Sequence, residues 1–271
     1  MNFSTFSHYL QQLEDLDSRL EMTALLAELF QELEPAEIPL ACYLMQGSLV
    51  PAYQSLEFEV GEKLMLRALA ELEQKKKTAA QSDQAPSQNL FGESDDPQLL
   101  IKIKQRFKEL GDLGLVAEEL IDQYPAQDSS LSVTETHQLL KEIAEDEGEG
   151  SQERKVAGLA HLLSQLNAAS AKYTVRIVLG KLRLGFSTMT MIDALSWARH
   201  GDKSDRTKLE QAYQKRADVG ELAQGYLQAE SHQAAKQFLS QYQLKLGVPV
   251  LPALCQRLDA TQEVSLRQSH Y

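Results

Sequence analysis

The sequence predicts an all-α protein of about twelve helices arranged as two similar halves. Three observations carry that reading. Leu, Ala, Gln and Glu dominate, while Gly and Pro number only 14 and 8 in 271 residues, a composition that favours helix over strand. Apolar residues recur at helical spacing in segment after segment, and no pair of alternating runs forms a convincing strand pair. The chain also matches itself when shifted by 133 residues.

Residues 3–14 and 18–34 read as two amphipathic helices. In the second, Leu20, Leu25, Leu26, Leu29, Phe30 and Leu33 fall at helical spacing and Ser18 stands in capping position. Pro35 and Pro39 break that pattern. A short apolar helix follows from Ile38 to Met45, Gly47 and Pro51 mark a loop, and Val60–Leu72 is the next helix. Residues 73–96 are polar with almost no apolar anchors and read as a flexible excursion, with Lys75–Lys77 as a solvated helix end. Helices resume at 97–109, 111–122 and 132–145, and the acidic run at 145–150 reads as a second linker. Asp112 and Asp218 both stand just before a helix, where an aspartate caps free N–H groups.

The helix at 151–167 places Val156, Leu159, Leu162, Leu163 and Leu166 on one face. Residues 172–197 read as a helix, a short basic hairpin bracketed by Gly180 and Gly185, and a second helix capped by Ser187 or Thr188. Helices at 206–216, 218–229 and 232–241 follow, and Pro249 and Pro252 mark an extended connector. The tail after about residue 258 reads as mobile.

The repeat divides the chain into a first unit at 1–150, ending in its acidic linker, a second unit at 151–246 containing the basic hairpin, and the connector at 247–271. A shift of 133 lays Leu26, Leu29, Phe30 and Leu33 on Leu159, Leu162, Leu163 and Leu166, Gly47 on Gly180 and Tyr43 on Arg176. With different spacers, EVGEKLMLRAL (59–69) parallels LGFSTMTMIDAL (184–195), and GDLGLVA (111–117) parallels ADVGELA (217–223).

Net charge is −12, so the chain as a whole is not the basic protein that a polyanion partner would select. The charge is uneven: residues 1–153 carry −19, residues 154–257 carry +8 and the last 14 carry −1. That asymmetry points the second half toward a polyanion. Cys42 and Cys255 are far apart and give neither a disulfide framework nor a metal spacing, so a reducing cytoplasm is the default. No apolar run approaches the ~20 residues of a membrane span, and the N-terminus has no signal-peptide pattern.

The basic hairpin is the candidate site. Gly180 and Gly185 let the backbone turn tightly or approach another molecule, Lys181 and Arg183 lie between them, and Lys172 and Arg176 precede them. The start of the following helix offers free N–H groups that suit a phosphate. The alternative is a glycine cap and a solvated loop between core helices. Gly47 and Ser48 form the matching turn of the first half, without its cations. Arg176 has a second reading, covering core surface with its aliphatic stem. Catalytic signatures are missing: there is no GxxxxGK[ST], HExxH, CxxC pair or GxSxG, and the six histidines have no partner at ligand spacing. Neither catalytic residues nor a metal site are expected.

With these motifs in place, the chain resembles the N-terminal DNA-binding domain of ATP-dependent DNA ligases of the archaeal, bacterial and eukaryotic replicative type. The resemblance rests on SRLEMTALLAELF (18–30), YLMQGSLVPAYQSLEFEVGEKLMLRAL (43–69), GDLGLVAEEL (111–120), GKLRLGFSTMTMIDAL (180–195) and AYQKRADVGELAQ (212–224). GVPVLPAL (247–254) resembles the connector into the nucleotidyltransferase domain. The family's Lys-x-Asp-Gly adenylation motif is absent from this sequence, as are the adenylation and OB-fold domains. The resemblance thus implies part of a ligase that does not seal nicks alone, with ATP and Mg belonging only to the catalytic domains. It implies an all-helical module, cytoplasmic and associated with the nucleoid, that lies on the minor groove of nicked duplex DNA. There it would contact phosphates and sugars without reading sequence, in replication, repair or recombination. Its expected DNA contacts are Gly180, Lys181, Arg183 and Gly185, with Lys172 and Arg176 flanking them and Gly47 and Ser48 as the weaker symmetric contact. A monomer working with ligase catalytic domains is expected. The alternative, suggested by the acidic first half, is a helical protein-interaction adaptor that has lost DNA binding.

Overall fold

The computed structural model describes residues 1–81, 97–124 and 130–251. Among these, thirteen helices account for all the regular structure. They are α1 Phe3–Glu14, α2 Arg19–Glu32, α3 Glu37–Met45, α4 Glu62–Gln81, α5 Pro97–Leu110, α6 Leu113–Asp122, α7 Val133–Glu145, α8 Ser151–Ser164, α9 Ala168–Val178, α10 Thr188–His200, α11 Arg206–Lys215, α12 Val219–Leu227 and α13 His232–Gln241. A single isolated antiparallel bridge, Asn2 to Ser132, ties the start of α1 to the start of α7.

Side-chain caps define where most of these helices begin. Ser18 accepts from the Glu21 amide, Asn167 from Ser170 and Ser231 from Ala234. Ser132 and Glu135 satisfy each other's amides in a reciprocal capping box. Asp112 and Asp218 cap α6 and α12 as expected. Each cap contributes about 1 kcal/mol, and together they fix the register of the helix starts.

One apolar core runs through the molecule from Phe3 to Tyr242. The four most extensive helix pairings are α6 with α9, α2 with α10, α4 with α8 and α3 with α12. Each joins a helix before residue 150 to one after it, so the two segments fill one shared core. α9 lies at its centre: every residue from Ser170 to Val178 is buried. A helix surrounded on all sides has no solvent face on which to leave a charge.

Two segments differ from expectation. Residues 73–81 continue α4 instead of forming an excursion. Glu73 is buried there and pairs with Lys77 at 2.8 Å and Lys102 at 3.4 Å, while Lys76 donates to the Ser164 carbonyl at 3.1 Å. These polar residues are anchored by ion pairs that apolar periodicity does not register. The acidic run at 145–150 is a tight turn rather than a linker. Arg154 grips both Asp146 oxygens, at 2.9 and 2.6 Å, and donates to the Glu147 and Glu149 carbonyls. Residues 82–96, 125–129 and 252–271, and hence Cys255, lie outside the described residues. No described helix is long and apolar enough to cross a membrane.

Candidate nucleic-acid interface

The basic segment starts as the end of α9 and leaves it through a glycine-capped turn. Gly180 adopts φ +63°. Its amide donates to the Ile177 carbonyl at 3.0 Å, and the Lys181 amide donates to the Arg176 carbonyl at 2.8 Å. This pair of reversed hydrogen bonds closes a helix around a left-handed glycine. Residues 181–184 then run outside any regular structure. Leu182 and Leu184 are buried while Lys181 and Arg183 stand half or more exposed, with side chains 50% and 60% accessible. The alternation follows from two leucines anchoring a loop whose other side faces water. Arg183 itself holds φ +54° and Gly185 +74°. A left-handed arginine carries backbone strain of about 1 kcal/mol, held by the buried leucines on either side. Ser187 takes the N-cap position of α10.

The turn after α3 is built the same way. Gly47 has φ +72°, its amide donates to the Leu44 carbonyl at 2.9 Å, and the Ser48 amide donates to the Tyr43 carbonyl at 3.0 Å. The two turns touch: a Cβ at Gly47 would sit 3.5 Å from the Gly180 Cα. Gln46 Nε2 donates to Thr188 Oγ1 at 3.1 Å, joining the first turn to the start of α10. His137 on α7 bonds the Leu49 carbonyl at 2.7 Å and holds the far side of the first turn. The Ser48 hydroxyl is turned onto its own loop, donating to the Val50 carbonyl at 2.7 Å.

Of the expected cations, only Lys181 and Arg183 face outward. Lys172 and Arg176 are on the buried helix, 7% and 3% exposed. Lys172 Nζ lies 2.9 Å from Glu14 Oε2 and 3.9 Å from Glu118. The Arg176 guanidinium bonds Glu14 at 2.8 Å and Asp112 Oδ2 at 3.0 Å. Their charges are matched by carboxylates supplied from α1 and from the α6 cap and helix, so they support the turn from below. Of the two sequence readings of Arg176, the buried one matches this geometry, with ion pairing added. Burial alone would raise the Glu14 carboxyl, but hydrogen bonds from Arg176, Tyr173 and Lys172 hold it at about 2. The acidic partners are not legible as a site in the sequence. Apart from the capping position of Asp112, their signal there is the acid surplus of the first half.

The exposed pair has weaker partners. Lys181 Nζ meets Glu62 Oε1 at 2.7 Å, with both side chains about half exposed, and Arg183 reaches only to 3.7 Å from Asp112. Exposed pairs of this kind contribute about 0–1 kcal/mol, so Glu62 holds Lys181 only weakly. Elsewhere, His200 and His232, scattered in the sequence, converge with Asp205 so that one ligand atom from each lies within 4.8 Å of the others.

Comparison with known proteins gives a consistent result. Residues 2–196 match the family described as DNA ligase N terminus. The chain is 34% identical over 272 residues to DNA ligase 2 of Thermofilum pendens, covering 97% of this chain and 41% of the relative. It is also 34% identical over 268 residues to a probable DNA ligase of Dictyoglomus turgidum and over 275 residues to a DNA ligase of Sulfurisphaera tokodaii, covering 40% and 41% of those proteins. The chain thus spans about two fifths of the length of these curated relatives. By the extent and position of these matches, the chain belongs to the DNA ligase N-terminus family.

Proposed function

We propose that this chain is the DNA-holding part of an ATP-dependent DNA ligase and grips nicked duplex through sequence-independent contacts to phosphates and sugars. The observation that carries the reading is the outward-facing pair Lys181 and Arg183 on a glycine-capped turn, set against a second turn of the same backbone. Gly180, Lys181, Arg183 and Gly185 make the main grip, and the backbone of Gly47 and Ser48 a weaker one. Lys172 and Arg176 act as positioning residues through Glu14 and Asp112. Paired turns suit a duplex because its phosphates repeat along both rails, and contacts to them set position without reading bases. The two turns also support the two-copy origin of the fold. Sealing, with its ATP and Mg, belongs to catalytic domains working with this one in replication, repair or recombination.

The direct test is fluorescence anisotropy with nicked duplex at low salt. The double variant Lys181→Glu, Arg183→Glu is expected to bind more than about tenfold more weakly, since a cation that no longer neutralises a phosphate no longer releases its counterion. Unchanged affinity would overturn the assigned grip. The acidic first half favours a second reading, a helical protein adaptor, and an unmodified chain that fails to bind nicked DNA even at low salt would select it.

A further inference from the structure

We propose that His200, Asp205 and His232 form a binding site for a divalent cation of the zinc class, clipping the α10–α11 turn to the first turn of α13. Asp205 is almost fully buried, and it occupies the N-cap position of α11. Its Oδ2 lies 3.0 Å from His200 Nε2 and 3.9 Å from His232 Nδ1, and the two imidazole nitrogens are 3.1 Å apart. Ligand atoms bound at about 2.0–2.2 Å to a tetrahedral zinc stand roughly 3.3 Å from one another. The three observed separations bracket that value, two falling just below it and the His232–Asp205 pair above it.

The chemistry agrees with the spacing. Three lone-pair atoms from two imidazoles and a carboxylate converge on one point, where hydrogen bonding alone must share protons between acceptors. A cation uses all three at once. Two nitrogens and one oxygen suit zinc, nickel or copper rather than magnesium or calcium, which prefer all-oxygen sites. The rings meet edge to face with centroids 4.5 Å apart, which orients them toward the shared point. Tyr226 donates its hydroxyl to Asp205 Oδ2 at 3.1 Å, the kind of outer bond that fixes a ligating carboxylate.

Other charges face the cluster. Lys208 Nζ contacts the other oxygen of Asp205 at 3.1 Å, and its side chain is half exposed and free to swing away. Lys236 faces His232, and Asp202 lies on the His200 side. His232 is itself half exposed, leaving the fourth coordination position open to water. The ligands come from segments 27 residues apart at their closest, at His232 and Asp205, so a bound ion ties α13 to the α10–α11 turn.

Titration of the untagged, EDTA-stripped chain with zinc chloride tests the site, read by calorimetry, by the visible absorption of cobalt substituted for zinc, and by the melting temperature. One zinc per chain and a melting temperature that rises with zinc are expected. His232→Ala, an exposed change at the first residue of α13, should weaken binding by more than about tenfold, because even outer-shell losses cost 10–100-fold. His200→Ala should do the same, and His161→Ala on the exposed side of α8 should leave binding unchanged. Binding weaker than about 1 mM, or binding that survives His232→Ala, would overturn the proposal.

Discussion

The two glycine turns share a backbone and differ in charge. At Gly47 and at Gly180 the same two hydrogen bonds close a helix around a left-handed glycine. The residue four positions before each glycine reaches an aspartate that caps a helix from the other half. Tyr43 donates its hydroxyl to Asp218 at 2.8 Å, and Arg176 bonds Asp112 through its guanidinium. Each aspartate is followed two residues later by a glycine in close contact. A Cβ on Gly220 would meet the Tyr43 ring at 2.6 Å, and one on Gly114 would meet the Lys172 carbonyl at 2.8 Å. The turn and the Asp-to-Gly helix start are therefore packed together in the same way at both places. What distinguishes the two places is side-chain chemistry: phenols donating to Asp218 support the first turn, and ion pairs of Lys172 and Arg176 with Glu14 and Asp112 support the turn that carries Lys181 and Arg183.

That difference sets the order of expected effects. Arg176→Ala leaves Asp112 without its main counter-charge and Glu14 with Lys172 alone, and breaking a pair of this depth costs about 3–5 kcal/mol. Tyr43→Phe removes one hydroxyl, but Tyr53 still donates to Asp218 at 2.9 Å, so the cost is about 1 kcal/mol. Urea denaturation of both variants measures the contrast. Equal losses would mean that charge does not separate the two copies.

A smaller effect is expected in acid. The Glu14 carboxyl is held at about 2 by Arg176, Tyr173 and Lys172 against the opposing effect of burial, below its ordinary value near 4.3. A depressed carboxylate contributes stability above its unfolded value and loses it as pH falls through the folded one. The stability difference between the unmodified chain and Glu14→Gln should therefore shrink as pH falls from about 4.3 toward 2. A difference that stays constant across that window would contradict the assigned ion pairs.

The helices are legible in the sequence because apolar spacing and Ser, Asp and Asn caps act locally. The turns are legible for the same reason: Gly47 and Gly180 stand where α3 and α9 must stop. Which cations face water is not legible. That depends on α9 being enclosed by α1 and α6, and lysines and arginines are usually exposed, so nothing local marks Lys172 and Arg176 as inward. Residues 73–81 escape apolar periodicity because Glu73 and Lys76 are anchored by polar contacts to α5 and α8. The cluster of His200, Asp205 and His232 has no sequence signal because only the fold brings its members together.

Salt dependence of binding to nicked duplex tests the cationic turn most directly. The slope of log affinity against log salt should fall by about 2 for Lys181→Ala, Arg183→Ala, close to 0.9 for each phosphate no longer neutralised, and should not change for Ser48→Ala. An unaltered slope in the double variant would contradict the assignment of these two side chains to the phosphate backbone.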